Sequence, residues 1–229
     1  MSTIPHPGFT SKFNPDPELS YTLPGYYYWD PEIHEKEREE IWFKSWILAG
    51  YLHDLKDPGD YITREILDQE VFVVRGKDGE LRAFYNVCMH RGHELVKDKG
   101  NKLVITCPYH AWSYDTEGKL KAAGGADDVK NFDYDEFYLS PVRVDTLLNM
   151  VFINLDDDAA PMSEVYAGLE DEIRGVMDEF DDLKLARTDP YEFNANWKFI
   201  FDAMECYHCP VIHPEVMGEN TYVELSFEI

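Results

Sequence analysis

Cysteine is scarce in this chain, with four in 229 residues. That is too few to staple a chain of this size, which excludes a disulfide scaffold and suits a reducing compartment. Long apolar runs are missing too, so no stretch approaches the length of a membrane span, and the start Met1-Ser2-Thr3-Ile4-Pro5 does not resemble a secretory signal. Basic residues are few. The 21 Lys and Arg stand against 45 Asp and Glu, a net charge of −24, and a field of that sign repels nucleic acid and anionic membrane surfaces while favouring neutral or cationic partners. Internal repeats and low-complexity tracts are absent. What is present, 44% apolar and 29% charged residues, is the composition of a globular chain able to bury a core. The expectation is a soluble cytoplasmic protein of one large domain or two small ones.

Residues 1–29 are rich in Pro, Gly and Tyr, which suits an extended arm draped over a body. Asp30-Pro31-Glu32 marks a helix start, because Asp caps free amides and Pro at the first helical position loses no needed donor. The pattern predicts a helix from there to about Trp46. Beyond it the period changes. Segments 61–67, 71–75, 81–87, 103–107 and 150–154 are short, rich in β-branched or aromatic residues, and separated by turns such as Lys77-Asp78-Gly79 and Thr116-Glu117-Gly118, the pattern of a small all-β domain. After Pro161 the helical period returns, with Val165, Leu169, Ile173, Val176 and Phe180 forming one apolar stripe opposite a solvated acidic face. A second helix is predicted over about 195–208, kinked or ended by Pro210.

Two mixed pairs of metal-ligating residues stand inside the β region: Cys88-Met89-His90 and, after sixteen intervening residues, Cys107-Pro108-Tyr109-His110. Two buried free cysteines with incidental histidine neighbours is the bland alternative. A tetrahedral zinc is another, but zinc sites usually pair like with like, whereas each short loop here offers one thiolate and one imidazole. Mixed pairs suit a binuclear centre in which two thiolates hold one iron and two imidazoles the other. Replacing thiolates by neutral imidazoles makes such a cluster less negative, raises its reduction potential and leaves a titratable N–H on each histidine.

The stretches Tyr85-Asn86-Val87-Cys88-Met89-His90-Arg91-Gly92 and Cys107-Pro108-Tyr109-His110-Ala111-Trp112 resemble the Rieske [2Fe-2S] domain of ring-hydroxylating and related non-haem iron oxygenases. The resemblance implies that Cys88, His90, Cys107 and His110 hold the cluster. Rieske proteins of the bc-complex type carry an extra Cys in each loop, forming a disulfide. His93 and Tyr109 stand at those places here, so the chain is similar to the oxygenase or ferredoxin branch.

A second constellation lies in Asn196-Trp197-Lys198-Phe199-Ile200-Phe201-Asp202-Ala203-Met204-Glu205-Cys206-Tyr207-His208-Cys209-Pro210-Val211-Ile212-His213. Glu205 and His208 are three apart and share a helix face. A kink at Pro210 would help swing His213 toward the same point, giving the two imidazoles and nearby carboxylate that a mononuclear iron(II) site requires. Cys206, His208, Cys209 and His213 as a structural zinc site is a competing reading, opposed by the different directions in which adjacent residues project from a helix. Core histidines without metal are the bland one. The segment resembles the iron-binding helix of the same oxygenases. That resemblance makes His208 and His213 iron ligands and Glu205 the bridging carboxylate, accepting hydrogen bonds from His208 and from a neighbouring subunit's Rieske histidine, which in this sequence is His110. Many members place Asp at the bridge. Glu in Glu-Cys-Tyr-His-Cys is similar to the branches that oxidise carnitine and glycine betaine.

The resemblance implies an α+β architecture: an arm and helix over 1–45, an antiparallel all-β Rieske domain over 46–155, and the beginning of a helix-plus-sheet catalytic domain over 156–229. It further implies an oxygenase α subunit that takes electrons from an NAD(P)H-dependent reductase, directly or through a ferredoxin. With O2 it would hydroxylate or oxidatively demethylate a small organic substrate of aromatic acid or quaternary ammonium type. A homotrimer is expected, because in this family each cluster serves its neighbour's iron. An electron-transfer protein whose only working site is the Rieske cluster is the alternative function, and a zinc-bound scaffold without redox activity a further one. The family's third iron ligand is an Asp far downstream, whereas this chain ends 16 residues after His213. Glu215, Glu219, Glu224 and Glu228 are the acids left there, and none matches, so no third ligand is assigned; a truncated α subunit, inactive alone, is expected, and a natural short form that does something other than oxygenation is the alternative. Asp202 also departs from the pattern, standing near where relatives often carry Asn.

Overall fold

The run Val71-Phe72-Val73-Val74 has no polar residue on either side of an extended backbone, so a strand made of it must be covered on both faces. In the computed structural model, which describes residues 14, 16–20, 23–177 and 179–204, it lies in β3 (Gln69–Arg75). β3 is an interior strand of a seven-stranded antiparallel sheet. Its companions are β1 (Ile47–Tyr51), β2 (Asp60–Ile66), β4 (Leu81–Tyr85), β5 (Lys99–Asn101), β9 (Pro141–Leu147) and β10 (Met150–Asn154), in the order β1-β10-β9-β4-β3-β2-β5. A smaller antiparallel sheet holds β6 (Val104–Thr106), β7 (Ser113–Asp115) and β8 (Leu120–Ala122).

The period of two divides the interior. Val71 and Val73, with Ile62 of β2 and Ala83 of β4, face one core that includes Val142, Val151 and Ile153. Phe72 and Val74, with Tyr61 and Phe84, face another that includes Ile105, Trp112 and Tyr114 from the smaller sheet or beside it, and both Cys88 and Cys107. Each fully buried apolar side chain contributes roughly 1.5–3 kcal/mol, so the second core is both the main support of the small sheet and the wall of the ligand loops.

The chain forms two compact units, residues 35–186, which hold these strands, and residues 1–34 with 187–229. Described parts of the arm contain 3-10 turns at Pro17–Leu19 and Gly25–Tyr28. The helix expected to reach about Trp46 is shorter: α1 (Pro31–Glu37) passes into one π-helical stretch, Arg38–Trp42, and stops. Of the strands, β1, β5, β7, β8 and β9 were not anticipated by pattern. β5, Lys-Gly-Asn, has no apolar residue at all and exists because Asp60–Ile62 pairs with it.

The single helix expected after Pro161 is broken into α2 (Met162–Val165), α3 (Leu169–Val176) and a 3-10 turn, Phe180–Asp182. Gly168 sits between the first two at φ +86°, a left-handed residue that interrupts the helical hydrogen-bond ladder. Its apolar stripe is only partly covered: no residue of α3 is buried, and Leu169 alone of the stripe packs against the cluster of Trp46, Leu147 and Met162. α4 (Lys198–Met204) starts later than expected, where Asn196 Oδ1 accepts the Lys198 N–H at 3.1 Å. The rest of the predicted helix, to His208, and the Pro210 kink lie outside the described residues.

Candidate metal centre

Both ligand pairs sit on turns closed by the same backbone bonds. In the first, the Cys88 N–H donates to the His93 carbonyl at 2.8 Å and the Gly92 N–H to the Cys88 carbonyl at 2.9 Å. In the second, the Cys107 N–H donates to the Trp112 carbonyl at 2.8 Å and the Ala111 N–H to the Cys107 carbonyl at 3.0 Å. The residue four beyond each cysteine is left-handed, Gly92 at φ 71° and Ala111 at φ 58°. These reversals put both thiols inside, at 2% exposure each, and leave His90 and His110 half-buried at the rim with ring centroids 4.8 Å apart.

Among the described residues no three His, Cys, Asp or Glu side chains gather as a site for one ion. The four predicted ligands divide instead into a buried thiol pair and a rim imidazole pair. That division fits the donor set of a Rieske cluster, sulfur on the inner iron and nitrogen on the outer one.

The first turn is braced by polar contacts. Asn86, 1% exposed, accepts the Leu95 and Val96 N–H groups on Oδ1, both at 3.1 Å, and donates from Nδ2 to the Val96 carbonyl at 2.7 Å. Three such bonds contribute about 1 kcal/mol each. Tyr114, fully buried in β7, lies 3.4 Å from Cys88 Sγ through its hydroxyl, which also accepts the Met89 N–H at 3.1 Å. The second turn is braced by rings. Trp112 stacks on His90 at 4.7 Å and 8°, and meets Phe137 edge-on at 5.0 Å and Phe132 at 5.9 Å.

Burial pushes the Cys88 thiol up, and its neighbour Cys107 adds to this, while the Tyr114 hydrogen bond acts the other way. Burial also pushes the Tyr114 phenol well up, helped by its bond to Cys88. His90 is held down by burial, then by Arg91 and His110. The consequence is a phenol that stays protonated and a neutral imidazole able to ligate.

The Cys-x-His and Cys-x-x-His spacings point to the four candidate ligands but not to the braces. Asn86 carried a usable signal, a polar residue directly between strand-like sequence and the Cys-x-His turn. Tyr114 carried only the alternation of β7. Glu205, His208 and His213, with Cys206 and Cys209, lie outside the described residues. The described part of α4 stops at Met204, the residue before Glu205.

The family described as Rieske [2Fe-2S] domain matches residues 45–133, and that described as ring hydroxylating alpha subunit (catalytic domain) matches residues 180–227. Carnitine monooxygenase oxygenase subunits are similar over 204 residues: 41% identity in Acinetobacter baumannii, over 88% of this chain and 55% of the relative, and 43% in Escherichia coli K12, over 88% and 54%. Among solved structures, the quaternary ammonium Rieske monooxygenase CntA in complex with L-carnitine aligns with a TM-score of 0.86 at 40% identity, over 93% of this chain and 61% of that one. The chain thus spans about half the length of the curated relatives it matches. The two matched domains imply a Rieske cluster and a mononuclear iron site. With both family signatures in order along a fold that superposes over nearly its whole length on that structure, the chain carries a Rieske [2Fe-2S] domain followed by part of a ring-hydroxylating α-subunit catalytic domain.

Proposed function

We propose that this chain forms part of the oxygenase subunit of a Rieske monooxygenase that oxidises a small quaternary ammonium compound. The observation that carries the proposal is the pair of matching turns, each delivering one thiol inward and one imidazole to the rim. Cys88 and Cys107 would hold one iron of the cluster, His90 and His110 the other. His208 and His213 would ligate the mononuclear iron, with Glu205 as the bridging carboxylate. The division into 1–45, 46–155 and 156–229 accords with family matches at 45–133 and 180–227.

When bound, the cluster supplies one-electron transfer and the mononuclear iron supplies dioxygen activation. The protein's own part is orientation. Trp112 fixes the plane of His90 by stacking, the neutral His90 offers a lone pair, and Tyr114 supplies a hydrogen-bond donor beside Cys88 Sγ. A Glu at position 205 would accept from the imidazoles on either side, so that a change in protonation at one is felt at the other.

Electrons would come from an NAD(P)H-dependent reductase, directly or through a ferredoxin, and the subunits would form a homotrimer. The solved relative concerning carnitine oxidation and inter-subunit electron transfer supports an oligomer. A cationic substrate is supported by the carnitine and glycine betaine relatives and by the charge of −24. No helix among the described residues is long and apolar enough to cross a membrane; a cytoplasmic setting is part of the proposal.

Iron and acid-labile sulfide analysis of the anaerobically purified chain tests the assignment. About three irons and two sulfides per chain are expected, with visible absorbance and a paramagnetic signal on reduction. Two irons would indicate an electron carrier, and a colourless zinc protein would overturn the reading. Substrate class is tested by carnitine- or glycine betaine-dependent oxygen uptake with a reductase, which should exceed that with an aromatic acid.

A further inference from the structure

α4 is described over Lys198–Met204, and most helical stability in proteins comes from tertiary packing. Its neighbour within the same compact unit is the arm. The Tyr28 ring, at the end of the 3-10 turn Gly25–Tyr28, lies 4.6 Å from the Phe199 ring. Lys198 Nζ stands 5.5 Å over the Tyr28 ring and 5.2 Å over Trp197, and Lys198 is only 8% exposed. The Tyr28 O–H donates to Asp202 Oδ2 at 2.7 Å. Lys198 and Asp202 are four apart and share a helix face, so one phenol engages that face at two positions a turn apart.

We propose that Tyr28 is a positioning residue whose bond to Asp202 fixes α4 and thereby sets where the chain delivers Glu205 and His208. The inference rests on the assignment of His208 as an iron ligand. As a carboxylate, Asp202 accepts from a phenol more strongly than an amide would. The phenol is held above its ordinary value by this bond first and by burial second, as expected of a donor whose charged form would face a carboxylate.

The test uses the whole chain, anaerobically purified, with two readouts: amide hydrogen exchange across residues 199–202, and Fe(II) affinity after removal of mononuclear iron. Rieske absorbance reports that the rest of the fold is intact. Tyr28→Phe keeps the ring and removes the hydroxyl. It should speed exchange in α4 about tenfold and weaken Fe(II) binding about three- to tenfold, with absorbance unchanged. Asp202→Ala should match it, the double variant should lose little more than either alone, and Asp202→Asn should retain part of the effect. Additive losses, or unchanged exchange, overturn the clamp. Faster exchange with unchanged Fe(II) affinity overturns the positioning role. His208→Ala separates the two failures: if it too leaves Fe(II) affinity unchanged, the ligand assignment is wrong, and the exchange data alone decide whether the clamp exists.

Discussion

The turn at Cys88 and the turn at Cys107 have the same backbone and opposite surroundings. The first is held by a buried amide and a phenol, whereas Trp112 at the second packs edge-on against Phe137 and reaches across to stack on His90 of the first. One conformation is therefore secured in two physically different ways. Hydrogen bonds fix distance and direction, whereas stacked rings fix planes and exclude water. The left-handed position differs as well, Gly92 in one and Ala111 in the other, so the two turns carry unequal backbone cost for one geometry.

The largest effect is expected at the aromatic brace. Trp112→Ala should cost about 3–5 kcal/mol, as large-to-small core changes do, and urea unfolding would measure it. Freed of its stacking partner, His90 should bind less firmly and the cluster should bleach faster in the presence of a chelator. Asn86→Ala should cost roughly 3 kcal/mol, because two buried N–H groups and one carbonyl lose their partner. If both variants bleach at the parental rate, the braces serve the fold and not the ligand turns, and the contrast has no chemical meaning.

Tyr114→Phe comes next. Loss of a donor to a ligating sulfur disfavours the more negative, reduced cluster by about 1 kcal/mol, so the midpoint potential should fall by roughly 40 mV. Protein film voltammetry reads this directly, and an unchanged potential would show that the hydroxyl serves only the Met89 N–H. The smallest effects form a matched pair. Gly92→Ala meets nothing within 4 Å of the added methyl, so only the left-handed backbone opposes it, at about 1 kcal/mol. Ala111→Gly should gain up to about 1 kcal/mol, after subtracting the greater freedom of glycine in the unfolded chain. Thermal melts with the same sign for both substitutions would break the equivalence of the turns.

The four candidate Rieske ligands are legible because residue identity and short spacing are local properties. Tyr114 is not, since it meets Cys88 across 26 positions and nothing in a strand's alternation announces such a partner. The stripe from Val165 to Phe180 shows the reverse failure. Its period was right locally, but Gly168 broke the helix and Val176 stayed 85% exposed, since a period states which residues share a face and not whether anything covers it. β5 failed for the same reason from the other side: a polar tripeptide became a strand because an open edge of β2 accepted it.

By itself the amino-acid sequence determined the donor set, its division into two short loops, the alternation that makes β3 apolar on both faces, and the family that the chain resembles. Those follow from spacing and side-chain chemistry, which are written in the chain. Tertiary structure alone decided that the thiols face a shared core while the imidazoles meet at the rim, that Trp112 and Asn86 brace different turns, and that Tyr28 reaches Asp202. Each is a contact between residues distant in the chain, and its geometry exists only after the strands and turns have closed on one another.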